Sequence, residues 1–362
     1  MPIVPLYGHH ALRTRLKDAL DRGVLPQSLL LHGDTGIGKQ RLALWLAAAL
    51  TCEREARPCG ECRHCRMVNT LAHPDVMWVF PRPRLKDSDA SADEVKSDLI
   101  TAGLERAKAN GLYAAPSGTE GIYVPTIRTV VRQASITPAM AKRKVVIIGD
   151  AERMVSQEGS DQAANAFLKL LEEPFANTWI ILTCSVPGAL LPTIRSRVIN
   201  VRVAPLSHDD VRQWLADPLV HEALKEESLP KSDEQRADLA AGAPGRLIGA
   251  TDSATVFDAA RRFIDVARSG DQERAAKLAL SHGVSGARGG FSDLLDAIEA
   301  ELRNRMRVAL GEGDEGLARG AAQAVETIED AKQLAYNNVN PQLIAWSVVT
   351  SLGESLGKGR GP

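Results

Sequence analysis

The chain has 362 residues, enough for two or three domains at roughly 100–200 residues each, and its 44% hydrophobic and 25% charged composition excludes whole-chain disorder. No run reaches the roughly 18 apolar residues of a membrane-spanning helix, and the first residues (MPIVPLYGHH) lack the basic start and apolar core of a secretory signal, so a cytoplasmic protein without a membrane partner is expected. Lys and Arg number 44 against 45 Asp and Glu, a net charge of -1, and aromatic residues are 4%, which counts against nucleic-acid binding through an overall basic field or rows of stacking rings.

Residues 11–20 carry Leu and Ala at helical spacing. Residues 28–32 (SLLLH) form a short apolar run ended by Gly33, the mark of a buried strand, and 39–51 (KQRLALWLAAALT) read as a helix. Strand, glycine loop and helix open a parallel α/β domain. The stretch 81–124 is polar and rich in Pro, Asp and Ser; it reads as an exposed, partly flexible insertion with one helix near 93–109. A second buried strand is expected at VVIIGD (145–150) and a third at TWIILTC (178–184). Between them, 161–173 are helical, with Ala164, Phe167, Leu168 and Leu171 on one face and Pro174 as the stop. The three strands are apolar on both faces, as a parallel sheet covered by helices requires. Beyond Pro205 strand signals fade. Short helical patterns fill 207–250, broken by GAPGR at 242–246. Residues 254–356 are helical throughout, with Phe291, Leu294, Leu295, Ile298 and Leu302 in register, and the terminal GKGRGP is expected to fray. The division is an α/β domain over 1–205, a small helical domain over 206–252 and an all-helical domain over 253–362.

Gly33-Asp34-Thr35-Gly36-Ile37-Gly38-Lys39-Gln40 fits G-x-x-x-x-G-K between a strand and a helix, a phosphate loop. Its glycines (Gly33, Gly36, Gly38) let backbone N–H groups surround a phosphate, and Lys39 reaches the outer phosphates. The position after the lysine normally carries Ser or Thr to bind Mg²⁺; here it is Gln40. An NTPase ends its second strand with an Asp for Mg²⁺ and often a Glu that activates water. One register places Gly149 and Asp150 there; a shift of one makes Asp150 the magnesium residue, with Ala151 in the glutamate's place and Glu152 one beyond. Neither register gives a complete pair. ATP hydrolysis by this chain is therefore not expected, and bare nucleotide binding stays open.

Of five cysteines, Cys52, Cys59, Cys62 and Cys65 fall within a short span as C-x6-C-x2-C-x2-C, a zinc knuckle over 52–65. Gly60 helps the turn. Four thiolates leave no open position, so the Zn²⁺ is expected to be structural. His64 and His73 could replace a thiol, but a four-cysteine set needs neither. Cys184 lies in an apolar strand and reads as core.

A phosphate loop followed within one helix by this cysteine spacing, then His73-Pro74-Asp75, resembles the bacterial clamp-loader subunits of DNA polymerase III, members of the AAA+ proteins. Asn165-Ala-Phe-Leu-Lys-Leu-Leu-Glu-Glu-Pro174 is similar to their NALLKxLEEP helix, Ser196-Arg197-Val198 to their Ser-Arg-Cys motif with Val198 in place of cysteine, and NNVNPQL (337–343) to a collar segment. The resemblance implies an AAA+ fold over 1–205, a helical lid (206–252) and a helical collar (253–362). It implies partners as well: gamma/tau and delta subunits, and through the complex the sliding clamp and primer–template DNA. The defective loop and strand resemble the rigid, non-hydrolysing end subunit more than the gamma/tau motors, an active gamma-type ATPase being the alternative. Such a chain belongs to the polymerase holoenzyme with no polymerase or ATPase activity of its own. The arginine matching Arg197 would project into the neighbour's ATP site, with Arg195 a second interface candidate. Arg246 lies near a sensor-arginine position. Thr183 and Ser185 flank a sensor position and, like Glu172 and Glu173, read as structural.

Overall fold

The computed structural model describes residues 2–85, 90–116, 120–155, 161–225, 227, 229–249, 253–283, 290–336 and 339–357; for 161–166, 253–255, and residues 155, 336 and 357 it describes the backbone alone. The described residues sort into two compact units. The first runs from the N-terminus to Lys225 and takes in 243–248. Its elements are α1 (His10–Asp21), β1 (Ser28–His32), α2 (Lys39–Thr51), α3 (Arg63–Asn69), β2 (Val76–Val79), α4 (Ala92–Lys108), α5 (Val124–Ala134), β3 (Lys144–Ile148), α6 (Asp161–Glu172), β4 (Thr178–Cys184), α7 (Pro192–Arg195), β5 (Ile199–Arg202), α8 (His208–Leu215) and α9 (Pro218–Ala223).

The five strands form one sheet in the order β2-β3-β4-β1-β5, and every pairing is parallel. β1, β3 and β4 occupy the middle, so their side chains meet helices on both faces; Leu29, Leu30, Val146, Ile147, Ile181 and Leu182 are all buried. This is the parallel α/β sheet expected from the three apolar runs. The two edge strands are short, and β5 is largely exposed, which is why neither carries a buried-strand signature. β3 stops at Ile148, two residues before the apolar run was expected to end, because Asp150 adopts a left-handed backbone (φ 48°).

The 81–124 segment is more integrated than its composition implies. A capping box of Ser91 and Glu94 starts α4, and Val95 and Leu99 on its inner face join the sheet core, with Ala102 also buried. Arg82 and Gly121 pair across the segment's base.

The second unit holds α10 (Asp233–Ala240), α11 (Ser253–Ser269), α12 (Gln272–Leu280), α13 (Gly290–Glu312), α14 (Glu315–Tyr336) and α15 (Pro341–Gly357), and is all-helical among its described residues. Phe291, Leu294, Leu295, Ile298 and Leu302 of α13 form its core with Phe263, Ile328 and Leu352. Within that core Glu299 is buried and held by Arg303 and Lys332. The side chains of Ala164 and Asn165, residues 337–338 of the NNVNPQL segment, and most of the terminal GKGRGP lie outside the described residues. No helix among the described residues is long and apolar enough to cross a membrane.

Candidate functional site

The loop from Gly33 to Gly38 joins the carboxyl end of β1 to α2, the place where parallel sheets hold ligands. Gly38 is the N-cap of α2, and no side chain caps that end. At Gly36 the backbone is left-handed (φ 86°), and an added Cβ would lie 2.9 Å from the Arg246 backbone nitrogen. The loop is clamped there: the Gly245 N–H donates to the Gly36 carbonyl at 2.9 Å. GAPGR thus meets the loop through backbone, while Nε and Nη2 of Arg246 are buried without a hydrogen-bond partner among the described residues.

Lys39 is 5% exposed. Its ammonium donates to the carbonyls of Gly33 (2.8 Å) and Asp34 (2.6 Å) and to Ser185 Oγ (2.9 Å). Burial lowers its pKa, against the pull of Asp150 and Glu152. Gln40 is equally occupied. Its Nε2 donates to Asp150 Oδ2 at 3.0 Å, and its Oε1 accepts the Trp78 indole N–H at 2.9 Å. The amide lies over Gly149, where a Cβ would come within 2.3 Å of Gln40 Oε1. Glycine at 149 and glutamine at 40 are therefore one packing solution. The carboxylate that meets position 40 is Asp150, whose own N–H donates to Thr183 Oγ1 (3.1 Å).

Glu152 sits beneath this layer. Its Oε1 accepts the Ser185 N–H at 2.8 Å, while Oε2 has no hydrogen-bond partner among the described residues. Burial, then the nearby Asp150, raises its pKa. In front of the loop a cavity of about 160 Å³ is lined by Thr35, Gly36, Lys39, Arg41, Tyr113 and Asp150, among others. Ligand pockets for small molecules are typically about 300–1,000 Å³. Gly111, Leu112, Tyr113, Ala115 and Pro116 of the 81–124 segment line it as well. Arg106 of α4 stacks over Phe80 (3.3 Å to the ring centre), Tyr113 (3.7 Å) and Trp78 (4.7 Å), and Trp78 in turn holds Gln40.

At the other end of α2, Cys52, Cys59, Cys62 and Cys65 place all four sulfurs within 4.8 Å of one another. The Cys59–Cys65 and Cys52–Cys62 separations are 4.0 and 3.8 Å. The N–H of Cys62 points at Cys59 Sγ (3.3 Å) and lowers that thiol's pKa to about 6; burial raises that of Cys65. Four cysteines so close together can hold a metal ion. His64 and His73 are outside the set. His73 Nδ1 accepts the Asp75 N–H (3.0 Å), so its Nε2–H donates to His64 Nδ1 (2.8 Å), and His64 Nε2 lies 3.2 Å from Glu53. The Asp75 carboxylate accepts the N–H groups of Ala139 (2.5 Å), Met140 (2.8 Å) and Ala141 (2.7 Å). The His-Pro-Asp sequence thus ties the cysteine region to the chain before β3. Cys184 is buried in the sheet core.

Arg197 lies just past α7 at the surface. Its Nε donates to Glu172 Oε1 at 2.8 Å, its Nη2 pairs with the same oxygen, and its Nη1 donates to the Thr193 carbonyl at 2.8 Å. The side chain keeps 30% exposure. Arg195 is exposed.

The family model described as "DNA polymerase III, delta subunit" matches residues 8–207, more than half of the chain. The chain belongs to this DNA polymerase III delta-subunit family. The matched region takes in the phosphate loop, the four cysteines and Arg197. DNA polymerase III subunit delta' of Pseudomonas aeruginosa is 33% identical over 196 residues, 53% of this chain and 48% of its own length. Subunit tau of Escherichia coli is 26% identical over 249 residues, 68% of this chain and 32% of its own. The chain spans about half the length of the delta' relatives it matches, or less. A solved gamma subunit-related protein of Thermotoga maritima aligns over 94% of this chain and 99% of its own at 16% identity, with a TM-score of 0.36.

Within this family member, several site residues were not legible in sequence. Trp78, Arg106 and Tyr113 reach the phosphate loop from distant segments, and no local motif marks them. Asp75 was visible in the His-Pro-Asp string, but its three backbone partners were not.

Proposed function

We propose that this chain is the non-hydrolysing stator of the bacterial DNA polymerase III clamp loader, working beside gamma/tau and delta subunits to load the sliding clamp on primed DNA. The Gln40 bridge carries the reading. A Ser or Thr at this position offers its hydroxyl to Mg²⁺. Here both ends of the Gln40 amide are spent on Trp78 and Asp150, and Gly149 offers no carboxylate. Lys39, which would meet the outer phosphates, is bonded to its own loop.

What the chain contributes to ATP chemistry is Arg197, acting on a neighbouring gamma-type subunit. An arginine supplied in trans stabilises charge that develops on a transferred phosphoryl group. Arg197 is near the surface, where a neighbour can reach it, and its planar fork matches phosphate oxygens; to engage them it exchanges the Glu172 ion pair that holds it within this chain. In the same reading 206–252 form a lid and 253–362 the collar. Cys52, Cys59, Cys62 and Cys65 hold one structural Zn²⁺: bonds of about 2.3 Å in a tetrahedron put sulfurs about 3.8 Å apart, close to the separations found. Purified chain incubated with ATP tests the central point. No steady turnover is expected; turnover that disappears in Lys39→Ala would contradict the reading.

A further inference from the structure

A cavity of about 360 Å³ lies between α1 and the turn that follows α2, away from the phosphate loop. Among the residues lining it are His10, Arg13, Thr14, Lys17, Trp45 and Arg57, and no carboxylate among the described residues lines it. The first four are spaced i, i+3, i+4 and i+7, so α1 presents them as one stripe. Arg57 enters from the cysteine turn, and Trp45 of α2 forms a wall. The Arg13 guanidinium stacks over the Trp45 ring at 5.1 Å.

The charge is unbalanced. Asp21 reaches in from the rim, 3.3 Å from Arg57 Nε and 3.9 Å from Lys17 Nζ. His10 lies 3.5 Å from Asp210, and Arg54 is turned to Glu61 at 3.2 Å. One rim carboxylate thus serves both Lys17 and Arg57, and Arg13 has no ion-pair partner among the described residues. A chain of net charge -1 has gathered like charges around a cavity, at a cost that an anion would offset.

We propose that this notch is a phosphate-binding site. Two guanidinium forks and an ammonium are the donor set that phosphate oxygens accept from; the Thr14 hydroxyl already donates to the His10 carbonyl at 3.1 Å. The phosphate can come from a nucleic-acid backbone or from a small phosphorylated molecule.

The test uses the full chain, inorganic pyrophosphate followed by calorimetry, and a short fluorescein-labelled single-stranded oligonucleotide followed by anisotropy. Oligonucleotide binding identifies a backbone ligand; pyrophosphate binding alone identifies a small one. In either case Lys17→Ala is expected to weaken binding by roughly tenfold and Lys17→Arg to retain it. Removing Arg57 as well should flatten the salt dependence of oligonucleotide binding by about two units of slope. Lys17→Ala changes a half-exposed helix position, so it tests the site even where the double variant melts early by circular dichroism. Binding of neither probe, binding indifferent to Lys17→Ala, binding lost in Lys39→Ala, or equal competition by polyglutamate would each overturn the proposal.

Discussion

The two ends of α2 make opposite use of inherited ligand geometry. At its N-terminus the side chains that would meet a nucleotide's outer phosphates and magnesium are bonded to the protein: Lys39 to loop carbonyls, Gln40 to Trp78 and Asp150. At its C-terminus four thiols converge on one another, tied to the rest of the unit by the His64–His73 contact and the Asp75 nest. One helix therefore carries a closed site and a converging one. A motif's glycines and lysine report descent; whether its polar groups are already paired decides what the site can still bind.

That contrast can be broken first at the cysteines. Metal analysis should find about one zinc per chain, and Cys65→Ser should lose it. The loss should destabilise by more than about 4 kcal/mol, the exceptional end of single-mutation effects where loss of a metal falls. Cys65→Ser with unchanged metal content and melting would remove the metal from the account.

Asp75 sharpens the same end. Burial pushes its carboxyl up, but the N–H groups of Ala141, Ala139 and Met140 outweigh this and hold it below the ordinary 3.8. A lowered folded pKa means stability that is present above the unfolded value and lost as pH falls through the folded one. Asp75→Asn should cost about 2–3 kcal/mol in urea melts at neutral pH. The gap between variant and wild type should narrow below pH 3.8. A gap constant with pH would show that the carboxylate charge is not what the nest holds.

At the phosphate loop the expected effect is smaller. Gly149→Ala puts a Cβ against Gln40 and should cost about 1–3 kcal/mol. In a Gln40→Ala background the same change should cost much less, since the clash is gone. Additive losses in this double-mutant cycle would mean that positions 40 and 149 are not one packing solution.

Much of this was legible in the chain. β1, β3 and β4 are apolar on both faces, and the glycine loop and cysteine spacing are local patterns. Phe291, Leu294, Leu295, Ile298 and Leu302 give α13 its buried stripe. What was not legible depends on long-range packing. β2 and β5 are short edge strands whose partial exposure blurs any pattern. The polar 81–124 segment reads as exposed, yet Val95 and Leu99 bury against the sheet and Arg106 and Tyr113 build the wall that fixes Trp78. Gln40 was readable as a defect; its function as a bridge required partners 38 and 110 residues away.

The central claim is that this chain's own pocket is silent while its Arg197 acts next door. One measurement separates the two: DNA-stimulated ATPase of clamp loaders reconstituted with wild-type, Lys39→Ala or Arg197→Ala chain. An arginine finger is worth roughly 10³–10⁵ at its own site, so Arg197→Ala should nearly silence the one neighbouring site and lower total turnover in part. Lys39→Ala should leave turnover at the wild-type level. Loss of turnover with Lys39→Ala and none with Arg197→Ala would contradict the account.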